Sequence, residues 1–247
     1  MATLFVSDLH LDVAEPAAGE QFIEFLGARA STADALYILG DLFETWVGDD
    51  DDEPYRQRVC AALAALTGSG VGCFVMHGNR DFLLQQGFMQ RTGAQLIGDP
   101  IIVDLYGEQV LLTHGDALCT ADRSYQLLRG VVRDRHWQRR FLRLPLSLRR
   151  TLADQARHGS QRHTGSTAAP IMDASDSAVI AAMRGCGVRT LVHGHTHRPG
   201  VHEFELDGSA ARRIVLGAWH DQGSVLSWDR DGFRLEQLPR TAPAHCA

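Results

Sequence analysis

The sequence predicts a layered α/β protein whose strand ends carry its chemistry, and three observations predict it. Five short apolar runs each stop at a block of Gly, Asp, His or Asn. Segments with the apolar spacing of helices lie between them, and the chain closes on strands joined by glycine-containing turns. Strand exits are where ligand sites gather in layered α/β folds, so the five blocks are expected on one rim.

Leu4-Phe5-Val6 leads into Ser7-Asp8-Leu9-His10, and the second run, Leu36 to Leu39, leads into Gly40-Asp41. Cys73 to Met76 leads into His77-Gly78-Asn79-Arg80-Asp81, and Val110 to Thr113 into His114-Gly115-Asp116. Thr190 to Val192 leads into His193-Gly194-His195-Thr196-His197. Helices are expected over Gly19 to Ala30, with Phe22, Ile23, Phe25 and Leu26 on one side, and over Pro54 to Leu66, where Pro suits the first turn. Two more are expected over Phe82 to Thr92 and Asp173 to Gly185, the latter capped by Asp173 or Ser175. Ile101 to Tyr106 and Gln109 to Thr113 read as a hairpin around Gly107-Glu108. Val201 to Leu206, Arg212 to Leu216, Ser224 to Trp228 and Phe233 to Gln237 read as closing antiparallel strands, with Pro239 to Ala247 frayed. The acidic run Asp49 to Glu53 reads as a solvated loop.

With 247 residues, 45% of them hydrophobic and 22% charged, the chain is long enough for one large domain or a domain with an insertion. A net charge of −6 argues against a general nucleic-acid binder. All 24 cationic residues are Arg. The five cysteines show no CxxC spacing, which points to free thiols in a reducing compartment. No signal peptide and no apolar window of membrane-spanning length are evident, so a cytoplasmic location is expected.

Composition divides the chain. Arg123 to Arg162 holds 11 arginines and two acids, a balance of +9 against −15 for the remainder. We therefore expect a core formed by 1–122 and 163–240, an Arg-rich helical cap insertion over 123–162, and a flexible tail over 241–247. Leu127, Leu128, Val131 and Val132 fit one helical face, and Phe141, Leu142 and Leu144 begin another that breaks at Pro145. Two readings stay open here: a solvated basic face, or a cap presenting Arg to anionic groups beside apolar surface.

The blocks DxH, GD, GNRD, HGD and GHTH offer carboxylate, amide and imidazole donors without Cys. That set favours harder divalent ions such as Mn²⁺, Mg²⁺ or Fe²⁺, with Zn²⁺ also suited. Asp8 with His10, and His195 with His197, stand at period-two spacing, which puts each pair on one side of an extended segment.

The series resembles the calcineurin-like metallophosphoesterases. Gly78-Asn79-Arg80-Asp81, Leu39 to Glu44, Trp46-Val47-Gly48-Asp49-Asp50, His193 to Pro199 and Leu216-Gly217-Ala218-Trp219-His220 resemble, within them, the branch that cleaves UDP-2,3-diacylglucosamine in lipid A synthesis. The resemblance implies a two-sheet β-sandwich flanked by helices and a two-metal site, most readily Mn²⁺. Asp8, His10, Asp41 and His197 would hold one ion, and Asp41, Asn79, His114 and His195 the other. Water would attack the α-phosphorus, giving UMP and 2,3-diacylglucosamine 1-phosphate. Arg80 would stabilise the charge that develops, making Arg80 and the bridging Asp41 the catalytic pair. Asp81 and Asp116 would orient imidazoles. Asn79, Arg80, Asp122, Ser160, Thr164, Thr167 and His195 would bind substrate; Thr164 and Thr167 stand where relatives often carry Asn and Lys. The partners implied are a lipid-linked UDP-sugar and the cytoplasmic face of the inner membrane, met peripherally by a monomer, with no nucleic acid. Two alternatives are a phosphoesterase for soluble nucleotides or phosphoproteins, and a non-catalytic scaffold. An apolar-lined cap over the metal blocks speaks against the first, and bound metal against the second.

Overall fold

A computed structural model describes residues 1–166, 173–220 and 222–240, with the backbone alone for 160–166. Four parallel strands, β1 (Thr3–Val6), β2 (Ala35–Leu39), β3 (Gly72–Met76) and β4 (Gln95–Ile97), form the body of the first sheet. They are joined through α1 (Pro16–Ala28), α2 (Pro54–Gly68) and α3 (Gln86–Thr92). β5 (Ile101–Leu105) and β6 (Glu108–Thr113) open the second sheet as a hairpin. Three further helices follow, α4 (Arg123–Val132), α5 (Arg135–Phe141) and α6 (Leu146–Ser166), then α7 (Asp176–Cys186). β7 (Thr190–His193) lies parallel to β6, and the hairpin of β8 (Gly200–Leu206) and β9 (Ser209–Val215) joins it through β9. The last hairpin, β10 (Gln222–Asp229) and β11 (Gly232–Pro239), crosses back to pair with β1. The sheets therefore run β11-β10-β1-β2-β3-β4 and β5-β6-β7-β9-β8.

Strand pleating explains the layers. In β1, Leu4 and Val6 pack with Phe22, Phe25 and Leu63 of the helices, while Phe5 points the other way. Phe5, Leu39, Met76 and Leu226 meet Val110, Leu112, Val192 and Ile214 between the sheets. Leu111 and Leu191, which are paired in register, face out against Val179 and Met183 of α7. The result is a two-sheet sandwich with helices on both outer faces.

Several boundaries differ from the sequence reading. α1 begins at Pro16, since Pro is tolerated in a first turn that needs no N–H. α3 begins only at Gln86, and Phe82 to Leu84 form a turn closed by the Leu84 N–H on the Asp81 carbonyl. The short edge strand β4 carried no recognised signal. The β5–β6 turn is centred on Tyr106-Gly107, at φ of 54° and 98°, the left-handed pair that a two-residue hairpin turn requires. Ser175 occupies the N-cap position of α7, and Asp173 instead accepts from the Ala174 N–H. Pro239 is the last residue of β11 and is not frayed; 241–247 lie outside the described residues. Among the described residues no disulfide joins Cys60, Cys73, Cys119 and Cys186.

The acidic run is a loop solvated only in part: the Asp50 and Asp52 side chains are 60% and 89% exposed, but Asp49, Asp51 and Glu53 are engaged. Glu53 caps α2 by accepting from the N–H groups of Tyr55 and Arg56, at 3.0 Å each. Asp49 accepts from the Gln85 and Phe88 N–H groups at the start of α3. Asp51 is fully buried between Arg56 and Arg150, and Asp50 pairs with Arg149, itself 2% exposed. Arg149 also donates to the carbonyls of Val47 and Leu144. The arginines of α6 thus clamp that helix onto the loop after β2, and Arg157 adds a bond of 3.0 Å to Asp12 after β1. α6 itself continues past the expected boundary at 162 to Ser166.

Candidate metal centre

The loops that leave the strands are zipped to each other by backbone hydrogen bonds. Asp8 N–H donates to the Gly40 carbonyl at 3.1 Å and His10 N–H to the Asp41 carbonyl at 2.9 Å. Gly194 N–H donates to the His114 carbonyl at 2.9 Å, and Trp219 N–H to the Asp8 carbonyl at 3.1 Å. Gly78 is needed for close approach: a Cβ there would lie 2.0 Å from Oδ1 of Asp41. At Gly40, with φ of 91°, a Cβ would meet Nδ1 of His114 at 2.5 Å.

Backbone conformation, not extended pleating, aims the side chains. Asp8, His10, Asp41, His195 and His197 have φ of 54°, 49°, 52°, 67° and 55°. This left-handed region costs a non-glycine residue energy and collects at functional sites. The period-two expectation for Asp8/His10 and His195/His197 is therefore corrected: all four leave the extended region, and Asp8 and His10 meet in one donor group while His195 and His197 are sent to different ones.

Two donor groups result, and they share Asp41. Single ligand atoms of Asp8, His10 and Asp41 lie within 4.8 Å of one another, as do those of Asp41, His114 and His195. Oδ2 of Asp41 lies 3.7 Å from Nε2 of His10 and 3.7 Å from Nε2 of His114. Asn79 joins the second group, with Oδ1 3.0 Å from Nε2 of His114 and 3.0 Å from Nδ1 of His195. His197 joins the first, with Nε2 3.4 Å from Oδ1 of Asp8 and 3.3 Å from Nε2 of His10. The remaining ring nitrogens are oriented from behind: His114 Nδ1–H donates to the Leu39 carbonyl at 2.9 Å, and His10 Nδ1–H to Glu44 at 2.8 Å. Oδ1 of Asp8 is buried with no hydrogen-bond partner among the described residues. An orphaned carboxylate oxygen amid inward-facing imidazoles is what a divalent cation would satisfy, so the seven residues fit such an ion on each side of Asp41.

The electrostatics agree. Burial would raise the Asp8 pKa, but the close approach of the His197 ring and the charges of His197, His114 and His10 hold it well below the usual carboxylate range. Burial would lower that of His114, but Asp41, Asp116, Asp8 and Asp99 push it up to about 9. His195 goes the other way, down to about 4, through burial and the neighbouring His114.

Two assigned roles change. Asp81 orients no imidazole; its carboxylate accepts from the N–H groups of Gly78 and Leu42, both at 2.8 Å, and so fixes the loops of Asn79 and Asp41. Asp116 accepts from Tyr125 Oη–H at 2.7 Å and Arg129 Nε–H at 2.8 Å, fastening α4 to the rim. Asp122 caps α4 by accepting from the Tyr125 N–H at 3.0 Å. The side chains of Ser160 and Thr164, and Thr167 altogether, lie outside the described residues. Sequence reading gave no role to Glu44, although it ends the Leu39 to Glu44 block, and missed Tyr125, whose ring stacks on His195 with centroids 5.9 Å apart.

A cavity of about 670 Å³ opens beside the donor groups. Asn79, Arg80, Trp46 and Phe82 line it from the core, and Leu128, Val132, Trp137, Phe141 and Leu144 from α4, α5 and the turn after α5. The face expected on α4 is split: Leu128 and Val132 line the cavity and Leu127 and Val131 do not, and Leu127, Leu128 and Val131 are 75%, 57% and 50% exposed. Phe141 ends α5 and begins no helix. Arg80 reaches the cavity with a buried Nε that has no partner among the described residues, 3.9 Å separating its Nη1 from Glu44.

The sequence matches the family described as calcineurin-like phosphoesterase over residues 1–199. A protein of Salmonella typhi named UDP-2,3-diacylglucosamine hydrolase is 48% identical over 97% of this chain and 100% of its own. Proteins of the same name from Aeromonas hydrophila and Aeromonas salmonicida are 48% and 49% identical, covering 96% and 99% of this chain and 98% and 97% of theirs.

Proposed function

The chain belongs to the calcineurin-like phosphoesterase family, and from that premise we propose that it hydrolyses the pyrophosphate bond of UDP-2,3-diacylglucosamine in lipid A synthesis, giving UMP and 2,3-diacylglucosamine 1-phosphate. The observation that carries the reading is the adjoining of two donor groups, joined at Asp41, to an apolar cavity beneath α4 and α5. A hydrolase of soluble nucleotides has no use for such a wall, and a non-catalytic scaffold has no reason to keep seven converging donors. Near-full-length relatives at 48–49% identity carry the matching name.

Asp8, His10, Asp41 and His197 would hold one divalent cation, and Asp41, Asn79, His114 and His195 the other, Mn²⁺ being our choice for both. Bound there, the ions supply Lewis acidity toward phosphoryl oxygens and a nucleophile from water at neutral pH. Asn79 contributes a neutral oxygen, which limits the charge of its donor group. The Arg80 guanidinium, carried beside Asp41 and open to the cavity, offers a fork of donors to the charge that builds on the α-phosphoryl group. Asn79, Arg80 and His195 would touch the phosphate, with Asp122, Ser160, Thr164 and Thr167 reaching the sugar and the remaining phosphate. The wall of Leu128, Val132, Trp137 and Phe141 would take the acyl chains, at about 0.8 kcal/mol for each CH₂ buried. Among the described residues no helix is long and apolar enough to cross a membrane. We propose peripheral attachment of a monomer to the cytoplasmic face of the inner membrane, drawn there by the arginines of the cap, 123–162.

Incubating the purified protein with the lipid in ¹⁸O-water tests the reaction. The expected result is release of UMP carrying the label, at a much higher rate than from the deacylated UDP-sugar. Label in the lipid product, or equal turnover of the two substrates, would overturn it.

A further inference from the structure

We infer that His220 supplies a further imidazole to the cation proposed between Asp8, His10, Asp41 and His197. The inference rests on the two-cation reading above and adds a donor to it. One ring nitrogen from each of His10, His197 and His220 lies within 4.8 Å of the other two. The His220 ring stacks on His10 with centroids 5.4 Å apart and planes at 15°, and its centroid is 5.7 Å from that of His197.

The position is built by the residue before it. Trp219 is fully buried and packs edge-to-face on Phe22 and Phe25 of α1. Its indole N–H donates to the Ser224 carbonyl at 3.1 Å, its backbone N–H donates to Asp8, and its carbonyl accepts from Arg240 at 3.1 Å. The backbone leading into His220 is therefore clamped to the Asp8 loop itself. His220 is exposed on the open side of the donor group, and with His197 it lines a second cavity, of about 220 Å³. Oδ1 of Asp8, orphaned and facing His197, leaves negative charge on that side for a cation. Harder divalent ions take about six ligands, so four protein donors leave room for a fifth.

The test is metal binding by the chelated, full-length protein. Wild type and His220→Ala are titrated with Mn²⁺, the free ion being followed by electron paramagnetic resonance, and both are then loaded with Co²⁺ for visible absorption. We expect two ions on wild type, and in His220→Ala one retained at full affinity and one weakened about tenfold or more, with a changed Co²⁺ spectrum. Two ions bound by His220→Ala at unchanged affinity would overturn the assignment. Weakened binding with an unchanged Co²⁺ spectrum would also overturn it, leaving His220 a packing neighbour of His10. Failure of wild type to bind two ions would overturn the two-cation reading as well, and so is distinguishable from either.

Discussion

The backbone N–H of Arg80 donates to Oδ1 of Asp41 at 2.8 Å. The residue that would meet phosphate charge is thus tied to the carboxylate shared by both donor groups. Its other oxygen, Oδ2, is left 3.7 Å from both His10 and His114. Replacing Asp41 by Ala should remove a ligand from each ion, abolish turnover and leave the fold intact. Metal analysis, activity and circular dichroism check it; near-normal activity would contradict the shared-ligand assignment.

Arg80→Ala separates charge stabilisation from metal binding. The side chain lies at the cavity and outside both donor groups, so two ions should still bind. If it stabilises developing charge, kcat should fall roughly 10²-fold or more, the scale for losing one such donor. Loss of metal in proportion to the loss of rate would instead make Arg80 a structural group.

How far the sequence revealed this site depends on which contacts are local. The blocks around Asp8, Asp41, Asn79, His114 and His195 were legible because each follows a strand of apolar residues, and strand order brings such exits together. The left-handed backbone at Asp8, His10, Asp41, His195 and His197 was not legible, because Asp and His tolerate that region without requiring it. Nor were the uses of the acidic run. Asp50 and Asp51 meet Arg149 and Arg150 about a hundred residues later, and Asp49 caps a helix 36 residues on. A charge run read alone is a solvated face; Asp51 is instead excluded from solvent by partners that no local pattern could identify. Asp81 and Asp116 were misread for the related reason that a carboxylate beside a metal ligand can serve backbone N–H groups or a helix just as well as an imidazole.

The clamp on α6 gives a stability contrast. Arg149 is buried and bonds to Asp50, Val47 and Leu144, whereas Arg150 and Asp52 meet at 3.4 Å with side chains 45% and 89% exposed. Arg149→Ala should cost about 3 kcal/mol, because it leaves buried acceptors unpaired. Asp52→Ala should cost less than about 1 kcal/mol, as exposed pairs do. Urea unfolding of both variants measures this, and equal losses would refute the clamp.

His114 sets a pH dependence in the metal-free protein. Its folded pKa is pushed up to about 9, above the ordinary 6.5, because four carboxylates outweigh its burial. Its proton therefore stabilises the metal-free fold fully below pH 6.5, and that contribution is lost as pH rises through 9. Cation binding must displace the same proton. Thermal melts of chelated protein should fall across that window while Mn²⁺ affinity rises. Affinity that is flat with pH would show that His114 gives up no proton to bind metal.

Release of UMP from UDP-2,3-diacylglucosamine, followed against bound metal, tests the central claim most directly. The protein is chelated, freed of chelator, and assayed as Mn²⁺ is returned in steps. Turnover should be absent without metal and should reach its full value as bound Mn²⁺ reaches two ions per chain. Turnover by metal-free protein, or full turnover with Asp41 replaced by Ala, would contradict it.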